Sequence, residues 1–317
     1  MPSKAAKSKV KTHSSSRARA ASASSVPPTI SGRWLLGAVG GTLAAAAVCV
    51  WLALCLLFWQ GSWQLLYHPS STVAKTPAAV GLAFDPIGFA TTGEGITRLA
   101  GWWIPAEDGA ASSRFTVLYL HGQNGNLGDT LPVLAEIHQA GVNVFAFDYR
   151  GYGQSKFAHP SEAHWLEDAG WALDYLTGTR HVDPHSIVVY GDGLGANLAL
   201  EFAAGHRDLA GVVVDSPDVD AMRPIFGDAR ARMVPAQLLV RDRYDLSAAG
   251  KDLRVPALWI EADSPGARVG LNDEPQAYRE IASHKTLVWI NPEQNAATDR
   301  VTAFERWLDD VSSASQH

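Results

Sequence analysis

Apolar positions divide the chain into three regimes. Residues 1–30 are mostly Ser, Ala, Lys and Arg with no apolar period. Such a composition buries too little surface to offset the ordering of the chain, so disorder is expected there. From Leu35 to Trp59 runs an uncharged stretch, LLGAVGGTLAAAAVCVWLALCLLFW. At about 1.5 Å per residue it exceeds the roughly 30 Å hydrocarbon core of a bilayer. It is longer than a signal-peptide apolar region and lacks the matching small-residue cleavage site. It also carries no charge over a length unusual for a buried core helix. Trp34 stands at one edge, and Trp59, Trp63 and Tyr67 at the other, where interfacial aromatics belong.

A Pro/Ala-rich connector over about 68–80 leads into the third regime, where strand-like and helix-like segments alternate. Strands are predicted at Leu99–Ile104, Phe115–Leu120, Val142–Phe147, Ser186–Tyr190, Ala210–Val214, Pro256–Ile260 and Lys285–Ile290. Runs such as VNVFAF and LAGVVV suit parallel strands covered on both faces. Between them, Leu127, Leu131, Leu134 and Ile137 repeat at helical spacing. So do Trp165, Ala169, Ala172, Leu173 and Leu176, with Ser161 placed as N-cap, and Val301, Phe304, Leu308 and Val311. Regular β–α alternation without internal repeats implies a mostly parallel sheet with helices on both faces. The expected layout is a basic tail over 1–33, a transmembrane helix over 34–59, a linker over 60–80 and a folded domain over 81–313.

Charge adds a direction. The first 33 residues hold seven basic side chains (Lys4, Lys7, Lys9, Lys11, Arg17, Arg19, Arg33) and no acid. Taking these seven from the 26 Lys and Arg leaves 19 against 32 acids, so the rest of the chain carries −13. A body that acidic is a poor nucleic-acid surface, and no nucleic-acid partner is expected. The basic start reads either as a nucleic-acid arm or as a topology signal. Its place directly before the apolar span favours the second, although an acid-free, Ser/Arg-rich start also suits a mitochondrial transit sequence. Between Trp59 and Arg98 the only Lys or Arg is Lys75. We therefore expect a signal-anchor with a cytoplasmic N-terminus and the folded domain across the membrane, in a bacterium a periplasmic domain on the cell inner membrane. Cys49 and Cys55 both lie in the apolar span and offer no disulfide framework, zinc spacing or thiol nucleophile, and neither metal nor cofactor is expected.

Four landmarks follow one another along the alternation. One strand runs into His121-Gly122-Gln123-Asn124-Gly125-Asn126, and the next ends in Asp148-Tyr149-Arg150-Gly151-Tyr152-Gly153-Gln154-Ser155. A third ends in Gly191-Asp192-Gly193-Leu194-Gly195 before a helix, and a fourth opens at Pro256-Ala257-Leu258-Trp259-Ile260. Together, over roughly Leu65 to Val311, these resemble the α/β-hydrolase superfamily, and specifically its membrane-anchored abhydrolase-domain serine hydrolases. Those also carry an entry segment like Tyr67-His68-Pro69. The resemblance implies an α/β-hydrolase fold preceded by one transmembrane helix.

The resemblance also implies a Ser–acid–His triad, and the residues at those positions depart from it. In the G-x-S-x-G elbow the nucleophile position is Gly193, which accepts a positive φ but supplies no oxygen. The acid position aligns with Pro265, with Asp263 two residues early. The histidine turn reads Asn291-Pro292-Glu293-Gln294-Asn295, with Asn295 at the histidine position and no histidine before His317; His284 precedes the last strand. The oxyanion hole is implied at the backbone amides of Gln123 and Leu194. His121 supports that turn or lines the pocket, and Asp148-Tyr149-Arg150 reads as a strand-end network. Asp192 is the residue to weigh as a carboxylate nucleophile, Ser216 as a substitute serine. Segment 218–250 reads equally as a lid or as a solvated connector. The reading leans away from an enzyme, towards a degenerate hydrolase kept as a binding, scaffolding or regulatory domain. Its expected partners are the lipid bilayer and a carbonyl- or carboxylate-bearing ligand or a protein. A serine-hydrolase-family esterase or peptidase with an unorthodox nucleophile is the alternative, and a purely structural anchor the third reading.

Overall fold

The computed structural model of the protein describes residues 31–263 and 274–314. The expected disorder of the first 30 residues lies outside them, as does Pro265. The chain divides into two compact units, Met1–Val50 and Trp51–His317. Helix α1 (Gly32–Gly61) starts in the first and ends in the second. In the first unit Trp34, Leu36, Val39 and Leu43 are all exposed. It is the one helix among the described residues long and apolar enough to cross a membrane.

The second unit is built on an eight-stranded sheet. Its strands are β2 (Asp85–Phe89), β3 (Leu99–Ile104), β4 (Thr116–Leu120), β6 (Asn143–Asp148), β7 (Ile187–Asp192), β8 (Gly211–Asp215), β9 (Ala257–Ala262) and β10 (Lys285–Ile290). Two further short strands, β1 (His68–Pro69) and β5 (Asn124–Gly125), pair with each other in parallel. The sheet order is β10-β9-β8-β7-β4-β6-β3-β2. Only the β2–β3 and β3–β6 pairs are antiparallel. The seven predicted strands are all present within a residue or two of their expected bounds. Edge strand β2 was not foreseen, because Asp85-Pro86-Ile87-Gly88-Phe89 holds both Pro and Gly. A sheet edge tolerates them, since one side of its backbone needs no partner.

Side chains alternate across the buried strands and so build two cores. On one face Leu118, Leu120, Phe147 and Val189 meet α3 (Glu162–Asp174) and α4 (Leu194–Ala204); on the other Val117, Tyr119, Tyr190 and Val213 meet α2 (Leu131–Gln139) and α9 (Ala296–Ala314). Ser161 caps α3, its hydroxyl accepting from the His164 amide at 3.2 Å. The pattern starting at Leu127 splits in two. Leu127–Asp129 forms a separate turn inside a capping box with Asn126, and α2 starts only at Leu131 with Pro132 in its first turn.

Segment 218–250, which reads equally as a lid or as a solvated connector, is largely ordered in short helices. It folds into short helices α5 (Arg223–Phe226), α6 (Ala236–Leu239) and α7 (Leu246–Asp252). Helix α8 (Gln276–Glu280) follows β9 and lies against α7. The Glu162 carboxylate ties this cap to the body by accepting from the amides of Arg243 and Tyr244, both at 2.6 Å. Tyr67 adds a second tie, donating to Asp242 Oδ2 at 2.7 Å.

Candidate active site

The elbow is intact as backbone. Strand β7 ends at Asp192, Gly193 turns at φ 58°, ψ −124°, and α4 begins at Leu194. The Gly193 amide donates to the carbonyl of Asp215 at 3.0 Å, which clamps the turn to the end of β8. The two outer glycines are required by contact. A Cβ on Gly191 would sit 2.6 Å from Ala196 Cα, and one on Gly195 would sit 2.6 Å from the His121 carbonyl oxygen. Gly193 is different: a Cβ there would meet nothing closer than Gln123 Oε1 at 4.0 Å. The space for a nucleophile is kept and its oxygen is not supplied.

The turn after β4 lies beside the elbow, since a Cβ on Gly122 would be 3.3 Å from the Asp192 carbonyl oxygen. Its own carbonyls are held from behind. Tyr149 donates to the His121 carbonyl at 3.2 Å, and Tyr152 to that of Gln123 at 2.9 Å. The His68 amide also donates to Gln123 O and the Ser70 amide to Gly125 O, both at 2.9 Å. Asn126 Nδ2 reaches back to the carbonyls of Ser70 and Thr72 at 3.2 and 2.9 Å. Segment 60–80 therefore does more than link: its middle is a splint for this turn. Gln123, whose carbonyl is fixed in this way, and Leu194 leave backbone N–H groups without a hydrogen-bond partner among the described residues. Leu194 is the first residue of a helix, where amides have no intrahelical acceptor and the dipole favours negative charge.

His121 belongs to the support. It is fully buried, and its Nδ1 faces the Gly122 carbonyl at 2.8 Å, which fixes that nitrogen as the donor. Burial pulls its pKa down to about 4, so the ring is neutral at pH 7. Its Nε2 lies 3.7 Å from Asp148 Oδ1, whose own pKa burial pushes up to about 7. Asp148 Oδ1 accepts from the Leu127 amide at 2.9 Å. Arg150 is paired with Asp168 at 2.6 Å, away from the elbow turn. Of the roles weighed for His121 and Asp148-Tyr149-Arg150, the geometry fits the structural ones.

Asp192 points to the α2/α9 side of the sheet, opposite the outer elbow glycines. Burial, then the neighbouring Asp215 carboxylate, push its pKa up to about 6. Beside it is a charge cluster that the sequence did not disclose. Arg300 donates to Asp215 Oδ2 at 2.7 Å and to Glu136 Oε2 at 2.6 Å, and Tyr190 donates to Asp215 Oδ2 at 2.6 Å. An arginine in an amphipathic helix gives no sign of this role. Ser216, one residue past β8, has φ 50° and donates to Asp215 Oδ1 at 3.0 Å.

At the two remaining positions that the resemblance implies for the triad stand Asn295 and, outside the described residues, Pro265. Asn295 holds φ 52° just before α9, and its carbonyl accepts from the Asp299 amide at 2.9 Å. The preceding turn is closed by Asn291, whose side chain accepts from the Glu293 amide at 2.9 Å. His284 lies at the other end of β10, where its carbonyl accepts from the Ala257 amide at 2.9 Å. The six-residue strand separates it from the elbow level by roughly 20 Å. Just after β9 the Asp263 amide donates to Ile290 O at 2.7 Å, and within the strand Glu261 accepts from the Trp259 indole at 2.8 Å.

Comparison with known proteins supports the fold. The family model described as serine aminopeptidase, S33, matches residues 111–264. The uncharacterized protein YfhR of Escherichia coli O157:H7 is 36% identical over 123 residues, 38% of this chain and 43% of that protein, so the match spans less than half of it. The uncharacterized protein MT2364 of Mycobacterium tuberculosis (strain CDC 1551 / Oshkosh) is 30% identical over 206 residues, 65% of this chain and 70% of that one. Alpha/beta hydrolase domain-containing protein 17C of Mus musculus is 32% identical over 122 residues, 38% of each chain. Among solved structures, the Pyrococcus furiosus esterase Pf2001 superposes with a TM-score of 0.57 at 18% identity, over 77% of this chain and 98% of that one.

Proposed function

The chain belongs to the α/β-hydrolase superfamily, among its abhydrolase-domain proteins, and on that premise we propose that it is a pseudo-hydrolase tethered to a membrane by α1. In this reading it binds a carbonyl- or carboxylate-bearing ligand, in a scaffolding or regulatory role, instead of turning it over. One observation carries the reading: Gly193 holds the nucleophile-elbow backbone at φ 58°, ψ −124° with open space above it and no oxygen. Two amides, of Gln123 and Leu194, have no acceptor among the described residues and stand where the resemblance implies the oxyanion hole. A ligand oxygen bound there needs no nucleophile, because preorganised backbone dipoles bind partial negative charge whatever the neighbouring side chains are.

Anchoring rests on the uncharged length of α1, and orientation on the seven basic residues before it. In this reading the N-terminus is cytoplasmic and the folded domain faces the periplasm of a bacterial inner membrane.

A fluorophosphonate probe tests the catalytic half of the reading, since it labels an activated serine and nothing else in such a fold. No adduct is expected. A stoichiometric adduct on Ser216 would establish the second reading, an enzyme with a displaced nucleophile. Only one feature favours that reading: Ser216 shares the positive φ of an elbow residue at a neighbouring strand end. The binding half is tested by following the Gln123 and Leu194 amide resonances during titration with hexanoate. Unmoved resonances at saturating hexanoate would count against a carboxylate-binding role.

A further inference from the structure

Within the unit Trp51–His317, the last turns of α1 and the cap share an apolar surface that no described residue covers. On α1, Cys55 and Phe58 turn inward, while Leu52, Leu56, Leu57 and Trp59 are all more than half exposed. On the cap, Met233 is 60% and Leu238 83% exposed. The two are joined. The Trp51 indole donates to the Met233 carbonyl at 3.1 Å, and a cavity of about 250 Å³ lies between Leu54, Leu57 and Leu65 on one side and Met233 and Val234 on the other. A contiguous apolar face of this kind on a folded unit marks an interaction surface.

Charge and geometry identify the occupant. Residues 229–241 contain Arg230, Arg232 and Arg241 and no acid, in a body that otherwise carries an excess of acids. Arg232 and Arg241 are exposed. Apolar side chains flanked by arginines are what an in-plane membrane element presents to acyl chains and anionic headgroups. Depth follows from the helix. Trp51 precedes Trp59 by eight residues, roughly 12 Å of rise. With Trp59 at the interface, the Met233 backbone bound to Trp51 lies below the headgroups, where a carbonyl without a donor costs several kcal/mol. The Trp51 indole supplies that donor.

We propose that the cap segment Ala229–Leu239 inserts into the bilayer alongside α1, with Met233 and Leu238 among the acyl chains and Arg232 and Arg241 at the headgroups. The proposal rests on α1 being the membrane anchor, and its test separates the two. The full chain is reconstituted in vesicles of phosphatidylcholine and phosphatidylglycerol at equal amounts, with single environment-sensitive labels. Met233→Cys and Leu238→Cys are placed in a Cys49→Ala, Cys55→Ala background. Native Cys49, in Cys55→Ala, reports on α1, and Asp309→Cys on exposed α9 reports on water. All four labelled positions are on exposed side chains, so the fold is not at risk. Nitroxide lipids should quench the labels at 49, 233 and 238 at least about twofold more than the label at 309, as expected for side chains reaching the acyl boundary. Quenching at 49 with water-like emission at 233 and 238 would overturn cap insertion and leave the anchor standing. No quenching at 49 would remove both. Labels at 233 and 238 shielded in lipid-free detergent, increasingly with protein concentration, would show that a second copy covers the face and would also overturn the proposal.

Discussion

Tyr152 and Gln123 are 29 residues apart in sequence, and the tyrosine hydroxyl donates to the glutamine carbonyl at 2.9 Å. That bond, with its partner from Tyr149 to the His121 carbonyl, explains why the motif after β6 reads as it does. Asp148-Tyr149-Arg150-Gly151-Tyr152 fixes the turn whose amide faces the elbow. Replacing Tyr152 by Phe removes the donor and keeps the ring, so the expected loss of stability is about 1 kcal/mol, the net worth of one hydrogen bond. Urea denaturation in detergent measures it. The Gln123 amide resonance should broaden in the same variant, because the turn loses one of its supports.

A second prediction contrasts two glycines of the elbow. Gly195→Ala places a methyl 2.6 Å from the His121 carbonyl, against backbone that cannot move without shifting β4. Overpacking of that kind costs on the order of 1–3 kcal/mol or more. Gly193→Ala meets no neighbour and suffers only its positive φ. Thermal melts should rank Gly195→Ala clearly below Gly193→Ala. The reverse order would mean that the elbow is packed differently from this description.

Arg300 bridges Asp215 and Glu136 with Asp192 nearby, so removing its charge leaves carboxylates facing one another. Arg300→Met should cost on the order of 3–5 kcal/mol, the usual result of stranding one side of a buried pair. Adding Glu136→Gln to Arg300→Met should restore part of the loss, since one of the stranded charges is gone. No recovery in the double variant would show that the arginine acts mainly through packing.

Asp192 gives a pH dependence whose sign can be worked out. Burial first, then Asp215, raise its pKa from the ordinary 3.8 to about 6 in the folded chain. Between these values the folded form holds more protons than the unfolded form, so stability falls as pH rises. The contribution is complete below about pH 4 and lost above about pH 6. Arg300, Glu136 and Asp215 face the same carboxyl and stay in place when it is altered. Asp192→Asn should therefore flatten the stability profile across that window. His121, pulled down to about 4, works in the opposite direction over an overlapping range and is common to both proteins. The difference between the two profiles isolates Asp192, and unfolding midpoints taken every half pH unit from 4 to 7 give it directly.

The fold was legible in the sequence because period and punctuation agreed. Continuous runs such as VNVFAF gave the central strands, and Gly191, Gly193 and Gly195 placed the elbow at the right strand end. The hidden parts were those where local signals mislead. Strand β2 contains Pro86 and Gly88, and α2 starts late because Asn126 closes a turn of its own first. Arg300 looks in sequence like one more charge on a solvated helix face. Only its approach to Asp215 from a strand 85 residues earlier gives it a role. Leu238 and Met233 lie in a segment of weak periodicity that gives no sign of the exposure they have beside α1.

The last prediction concerns repair of the elbow. Gly193→Ser alone should yield a folded protein with little or no gain in ester hydrolysis. Room for the side chain exists, since the nearest atom to a new Cβ is Gln123 Oε1 at 4.0 Å. The φ of 58° is uncommon for any residue but glycine, and holding serine there costs on the order of 1–3 kcal/mol. What is missing is a base. His121 is buried with its Nδ1 committed to the Gly122 carbonyl, His284 is at the opposite end of β10, and Asn295 stands where the resemblance implies the histidine. Adding Asn295→His and Pro265→Asp should be required before general-base catalysis operates. Because triad members act as a unit, the triple variant should exceed the sum of its parts by a wide margin. The measurement is hydrolysis of a p-nitrophenyl ester by the single, double and triple variants, with fluorophosphonate labelling of residue 193 as a second readout. A large rate from Gly193→Ser by itself would mean that one of the histidines dismissed here reaches the elbow in solution, and the proposed loss of function would then rest on a single atom.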